Sequence, residues 1–201
     1  NLAVSKVEAN RNFANKVWNA VRFVINAIST LTPPSAPLFL EGRGDGGEGD
    51  WTLADSWIWA KLQTLIRNVE RLFQTFQYGE AGRQIYDFFW SDFADWYVEI
   101  AKGQLQEGGA RAYTTAQTLT RVLDTSLRLL HPFTPFVTEE LWGHLRRALG
   151  DSPLVSLTKD WPDALMVASW PEPREKEGWE ADKIADFELL QEIVRSIRNL
   201  R

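Results

Sequence analysis

Groups able to make or break bonds are scarce in this chain. There is no cysteine, which removes a thiolate nucleophile and a thiolate zinc site. Only two histidines occur, His131 at a helix break and His144 among surface-type residues, and neither has a partner at metal-ligand spacing. Asp87, Asp92, Asp95 and Glu99 crowd one helical stretch, where an acid and a base could stand together. The plainer reading is a solvated acidic face that partners Arg83 and Lys102. No glycine-rich phosphate loop follows a strand, and no serine elbow is present. By elimination the chain binds something or scaffolds something.

The first helical stretch is the unusual one. At about 100° per residue, Arg11, Asn19, Arg22 and Asn26 fall within about 40° of Asn15 and form one stripe of amide and guanidinium groups. Asparagine is a poor helix former, and Glu, Lys or Gln would serve a merely solvated face at less cost. Amides and guanidinium groups carry the paired donors and acceptors that match base edges. Phe23 points out of the apolar arc, where an unpaired base can stack at ~1–3 kcal/mol per base. The alternative from spacing alone is that the asparagines cap neighbouring helices and Phe23 packs under the following connector.

Five or six stretches have helical period, and almost nothing alternates. Phe13, Val17, Val21, Val24 and Ile28 predict a helix over Asn10 to Ser29. A proline-rich exit at 32–37 and the glycine-rich, acidic run Glu41 to Asp50 predict a flexible connector, in which Arg43-Gly44-Asp45 is a chance match to an adhesion tripeptide. Thr52 and Asp55 have capping-box spacing and open a second helix that Gly79 is expected to end. A third helix spans about Glu80 to Lys102, and a fourth follows Gly108 and Gly109 through Leu130. Pro132 stops that helix, and Thr134 and Pro135 suit the N-cap and first position of another that runs to about Leu149. Residues 151–178 read as irregular chain with room for one short strand, Leu165 to Trp170, and a last helix covers Trp179 to Arg201. The expected fold is all-α: an antiparallel helix bundle over 1–150, the irregular segment 151–178, and a C-terminal helix over 179–201 leading toward a further module. Most of the ten tryptophans sit inside apolar stripes, where packing explains them.

A chain of 201 residues with 44% hydrophobic and 12% aromatic content can build a sizeable core, which excludes disorder for most of it. A thiol-free composition suits a reducing cytosol, so a cytoplasmic location is expected. The longest uncharged stretch, Phe23 to Leu40, is broken by Pro33, Pro34 and Pro37 and does not suit a membrane span. A net charge of −5 argues against a protein that grips nucleic acid over its whole surface. The charge is uneven, because residues 1–31 carry Lys6, Arg11, Lys16 and Arg22 against Glu8 alone. A polyanion would therefore meet the first helix. The chain starts at Asn1 rather than Met, and its last helical pattern still runs at Arg201, so a piece of a longer protein is expected.

Several blocks carry a resemblance. Asn12-Phe13-Ala14-Asn15-Lys16-Val17-Trp18-Asn19-Ala20-Val21-Arg22-Phe23-Val24 resembles the first helix of the anticodon-binding domain of the valyl-tRNA synthetases, which are class I enzymes. Leu53 to Ile58, Tyr86 to Tyr97, Leu130 to Trp142 and Ile197 to Arg201 resemble further blocks of that family, in family order and over nearly the whole chain. His131-Pro132 stands where the isoleucyl and leucyl enzymes usually carry Ala-Pro. Two departures exist: Ser56 replaces a common basic residue, and Glu41 to Asp50 matches nothing in the family. The resemblance implies a tRNA partner, the valine-accepting one, and catalytic and C-terminal domains within the same parent chain. It implies that ATP is used by the parent enzyme and that this piece, lacking the nucleotide-binding signatures, holds no cofactor and no catalytic residue. Together with the polar stripe and the positive charge of the first helix, it points to Arg11 and Lys16 for phosphates, Asn15, Asn19 and Arg22 for base edges, and Phe23 for stacking. A helical scaffold that braces a class I catalytic domain with little RNA contact is the competing expectation.

Overall fold

A computed structural model describes residues 4–32, 51–175 and 177–200. The connector expected from the proline-rich exit at 32–37 through Glu41 to Asp50 lies outside the described residues, apart from Thr32. Helix α1 spans Val4–Ser29, several residues longer at its start than periodicity suggests. It buries Phe13, Val17, Val21, Val24 and Ile28, the expected stripe. Its end is sealed by hydroxyls, with Ser29 Oγ donating to the Ile25 carbonyl at 2.8 Å and Thr30 Oγ1 to that of Asn26 at 3.1 Å.

Helix α2, Leu53–Gln74, begins with the expected capping box. The Asp55 backbone N–H donates to Thr52 Oγ1 at 3.2 Å, and Thr52 N–H donates back to Asp55 Oδ2 at 2.9 Å. The helix stops earlier than expected, because Phe76 takes a left-handed φ of 57° that no helix continues. Gly79 is thus not a terminator. It lies in the first turn of α3, Tyr78–Asp87.

The expected third helix is one rod in three parts: α3, a π-helical run Phe88–Tyr97, and α4, Val98–Gln106. Six of the ten residues in the π run are aromatic, and the wider winding buries Phe88, Phe89, Phe93 and Tyr97 together. Gly108 and Gly109, at φ of 74° and 55°, turn the chain into α5, Gly109–Leu130. Several of its buried hydroxyls are satisfied within the helix, as where Thr120 and Ser126 each donate at 2.7 Å to the carbonyl four residues back. Helix α6, Pro135–Gly150, starts with Thr134 and Pro135 as expected, although the Thr134 hydroxyl turns back to the Leu130 carbonyl rather than capping the new helix.

The short strand expected at Leu165 to Trp170 is not formed. Leu165–Val167 is instead a 3-10 turn, as is Val155–Thr158. The cause is a side chain from another element: Glu139 of α6 accepts the Leu165 and Met166 backbone N–H groups at 2.7 and 3.0 Å, which curls the chain and takes the donors that a strand partner would need. Helix α7, Glu180–Asn199, packs along α2, with Phe187 stacked on the fully buried Trp57 ring at 4.0 Å. The core therefore lies among α1, α2, α5, α6 and the aromatic rod, and holds the outer face of α1 in a fixed position.

Candidate nucleic-acid interface

The apolar stripe of α1 sets the direction of the opposite one. With Phe13, Val17, Val21 and Val24 facing the core, Arg11, Asn15, Asn19, Arg22 and Asn26 are all exposed. Among the described residues, the side chains of Arg11, Asn15, Asn19 and Arg22 have no hydrogen bond or ion pair. The alternative in which these asparagines cap neighbouring helices is therefore not what the fold shows. Their donors and acceptors face solvent.

Lys16 departs from the stripe. Its ammonium pairs with Asp95 of the π run and lies 4.0 Å above the Trp90 ring. The cation is thus shared with the fold. Phe23 is half-buried against the core, with the Lys102 ammonium 6.0 Å from its ring centroid. Both line an open cavity of about 350 Å³ between the end of α1, the end of α4 and the start of α5, together with Asn26, Thr30 and Gln106. An aromatic ring, a cation and two amides thus face one space large enough for a nucleobase.

Neither Lys102, expected only as an ion-pair partner, nor Gln106 is among the binding residues expected from the sequence. The Gly108-Gly109 reversal was the available signal, since it returns the chain beside the end of α4, but helical period cannot say which other helix end lies opposite. Trp18 was likewise absent, although it is 43% exposed beside the stripe.

The carboxylates of the aromatic rod are each paired with a basic side chain. Asp87 pairs with Arg83 at 2.7 Å and Glu99 with Lys102 at 2.6 Å, along the helix as expected. Asp92 and Asp95 instead reach other helices, to Lys61 at 3.4 Å and to Lys16. Burial pushes the Asp92 carboxyl above its ordinary range, opposed by Lys61. No group of histidine and carboxylate side chains able to hold a metal occurs among the described residues. None of their helices is long and apolar enough to cross a membrane.

Comparison with known proteins matches the chain to a family. The family described as anticodon-binding domain of tRNA ligase matches residues 55–201. The valine--tRNA ligase of Bacillus licheniformis is 41% identical over 197 residues, which cover 98% of this chain and 20% of that protein. That of Bacillus cereus is 40% identical over 200 residues, covering 99% of the chain and 20% of the protein. That of Bacillus subtilis is 41% identical over 197 residues, with 98% and 20% covered. The chain thus spans about a fifth of the length of the relatives it matches, and α1 with its polar stripe falls inside these alignments although ahead of the family match. An all-α bundle with that match over most of its length belongs to the anticodon-binding domain family of the tRNA ligases.

Proposed function

We propose that this bundle holds the anticodon stem-loop of a valine-accepting tRNA and so sets the register of that tRNA on a catalytic domain elsewhere in the same protein. The observation that carries the reading is the exposed amide and guanidinium stripe of α1, without partners among the described residues, beside the cavity at Phe23. Phe23 stacks an unpaired base, and Asn15, Asn19 and Arg22 reach base edges. Arg11 and Lys102 meet phosphates, while Lys16 adds charge at the flank that it shares with Asp95. Valine activation with ATP belongs to the remainder of the parent ligase, and this chain needs no cofactor for its part.

The test uses the intact ligase. Phe23→Ala removes a stack worth ~1–3 kcal/mol, so kcat/KM for tRNA should fall about fivefold to a hundredfold. Arg22→Ala should act in the same direction. Valine-dependent pyrophosphate exchange, which needs no anticodon, should be unchanged in both variants. Unaltered tRNA kinetics in both would refute the assignment and favour a bundle that only braces the catalytic domain.

A further inference from the structure

We propose, building on the function above, a second RNA contact: Arg146 and Arg147 of α6, with Lys159 just beyond it, hold the phosphate backbone of the paired stem while α1 takes the loop. The two helices advance side by side, since Asn10, Phe13 and Val17 share a cavity with Thr134 and Val137, and Trp18 meets the His144 ring edge-on at 6.3 Å. The polar face of α1 therefore continues across Trp18 onto α6.

The chemistry changes at that crossing. On α6, Gly143, Arg146, Arg147 and Gly150 share one face, above a groove of about 610 Å³ that also takes in Lys159. Both glycines border open space: a Cβ at Gly150 would meet nothing within 4 Å, and one at Gly143 only Arg147 Nη1 at 3.9 Å. Where α1 offers amides and an aromatic ring, this groove offers cations. Trp161, which also lines it, is stacked on Trp142 at 4.9 Å and is already covered on one face. Such a surface reads charge rather than base identity, which is what a duplex stem presents on its outside.

The cations are also held in place. Arg147 Nη2 donates to His144 Nδ1 at 2.9 Å, which leaves the ring proton on Nε2, 3.0 Å from Glu140. Arg146 donates from Nη1 to the Asp163 carbonyl at 3.2 Å, which holds the guanidinium over the groove, and from Nη2 to the Asp163 carboxylate at 2.6 Å, which is 96% exposed. An exposed pair of this kind is weak and gives way readily to phosphate. In a protein of net charge −5, two adjacent arginines and a lysine around one open groove form a local attractor for a polyanion.

The experiment measures binding of two probes by the intact ligase across a salt series: an RNA hairpin with the anticodon stem and loop, and the same loop sequence as an unpaired oligonucleotide. A variant with Arg146→Gln, Arg147→Gln and Lys159→Gln should bind the hairpin about tenfold or more weakly, with a log–log salt slope shallower by about 2 to 3. Its affinity for the oligonucleotide and its melting temperature should be unchanged. Replacing both arginines by lysine should restore the slope, because phosphate charge alone is read. An unchanged hairpin affinity and slope in the triple Gln variant, with Phe23→Ala still weakening the hairpin, would overturn the α6 contact and leave the α1 reading intact. Equal weakening on both probes would overturn the assignment to the stem. A loss with the triple variant but none with Phe23→Ala would support α6 and refute α1, and failure of the wild-type ligase to bind either probe would refute both.

Discussion

Replacing Tyr97 by Phe removes one hydroxyl from the centre of the bundle and leaves the packing of the ring in place. That hydroxyl donates to Asp55 Oδ1 at 2.6 Å, and both residues are fully buried. The other Asp55 oxygen accepts from Thr52 N–H, from Thr52 Oγ1 and, at 3.3 Å, from Arg111. Gln104 then donates to Thr52 Oγ1 at 2.7 Å and accepts from Thr115, so that the network ties the start of α2 to the π run, α4 and α5. A hydrogen bond to a charged acceptor contributes ~1.5–3 kcal/mol, and its loss strands a buried carboxylate oxygen, so a cost of about 2–3 kcal/mol is expected. For a chain of this length that is a drop of roughly 5–10 °C in melting temperature. Asp55→Asn should cost a similar amount, since one amide face must present a donor to another donor. Combined with Tyr97→Phe, it should show at least ~1 kcal/mol of coupling.

The same bond predicts a pH dependence. Burial first, then the Asp55 charge and hydrogen bond, hold the Tyr97 phenol well above its ordinary range. The unfolded chain releases this proton near the ordinary value of 10.0 while the folded chain keeps it. Stability is therefore undiminished below that pH and falls as pH rises beyond it, and the Phe variant lacks this fall. Thermal and urea unfolding of wild type, both single variants and the double variant would measure all of this. A melting temperature for Tyr97→Phe within 1 °C of wild type, or strictly additive losses, would refute the reasoning.

Two further outcomes can be checked on the same apparatus. Glu139→Ala should free the Leu165 and Met166 N–H groups, speed proteolysis within 151–170 and cost about 1 kcal/mol, the carboxylate being partly exposed. Asp92→Asn should stabilise the protein at pH 7, because the folded-state carboxyl is raised by burial and its ionisation opposes folding. The stabilisation should vanish once the pH falls below the ordinary value of 3.8, where both states are protonated.

The helices were legible wherever one rule sufficed. The 3.6-residue period located α1 and α5, the Thr52–Asp55 pair marked a true capping box, and Thr134-Pro135 marked the start of α6. The errors arose where a side chain from elsewhere decides the backbone. Glu139, 26 residues before Leu165, converts an apolar stretch that looks like a strand into a turn. Phe76 ends α2 in a conformation that glycine would ordinarily supply, so Gly79 drew the eye instead. At the candidate interface, period alone turned the asparagines outward correctly. It could not anticipate that Asp95, 79 residues away, would claim Lys16, or that Lys102 would stand over Phe23.

The π-helical run also bears on how this protein tolerates changes in length. A winding that closes each loop over five residues instead of four stores surplus chain. Removing one residue between Phe88 and Tyr97 would let part of the run tighten into an ordinary α-helix, sparing α4 the full rotation that a deletion from a regular helix imposes. The phenol at Tyr97 would lose its aim at Asp55 in the process. Deletion variants here should therefore fold with a weakened centre rather than fail outright, whereas an equal deletion in the regular α5, whose register is set throughout by its buried face, has no such slack to consume.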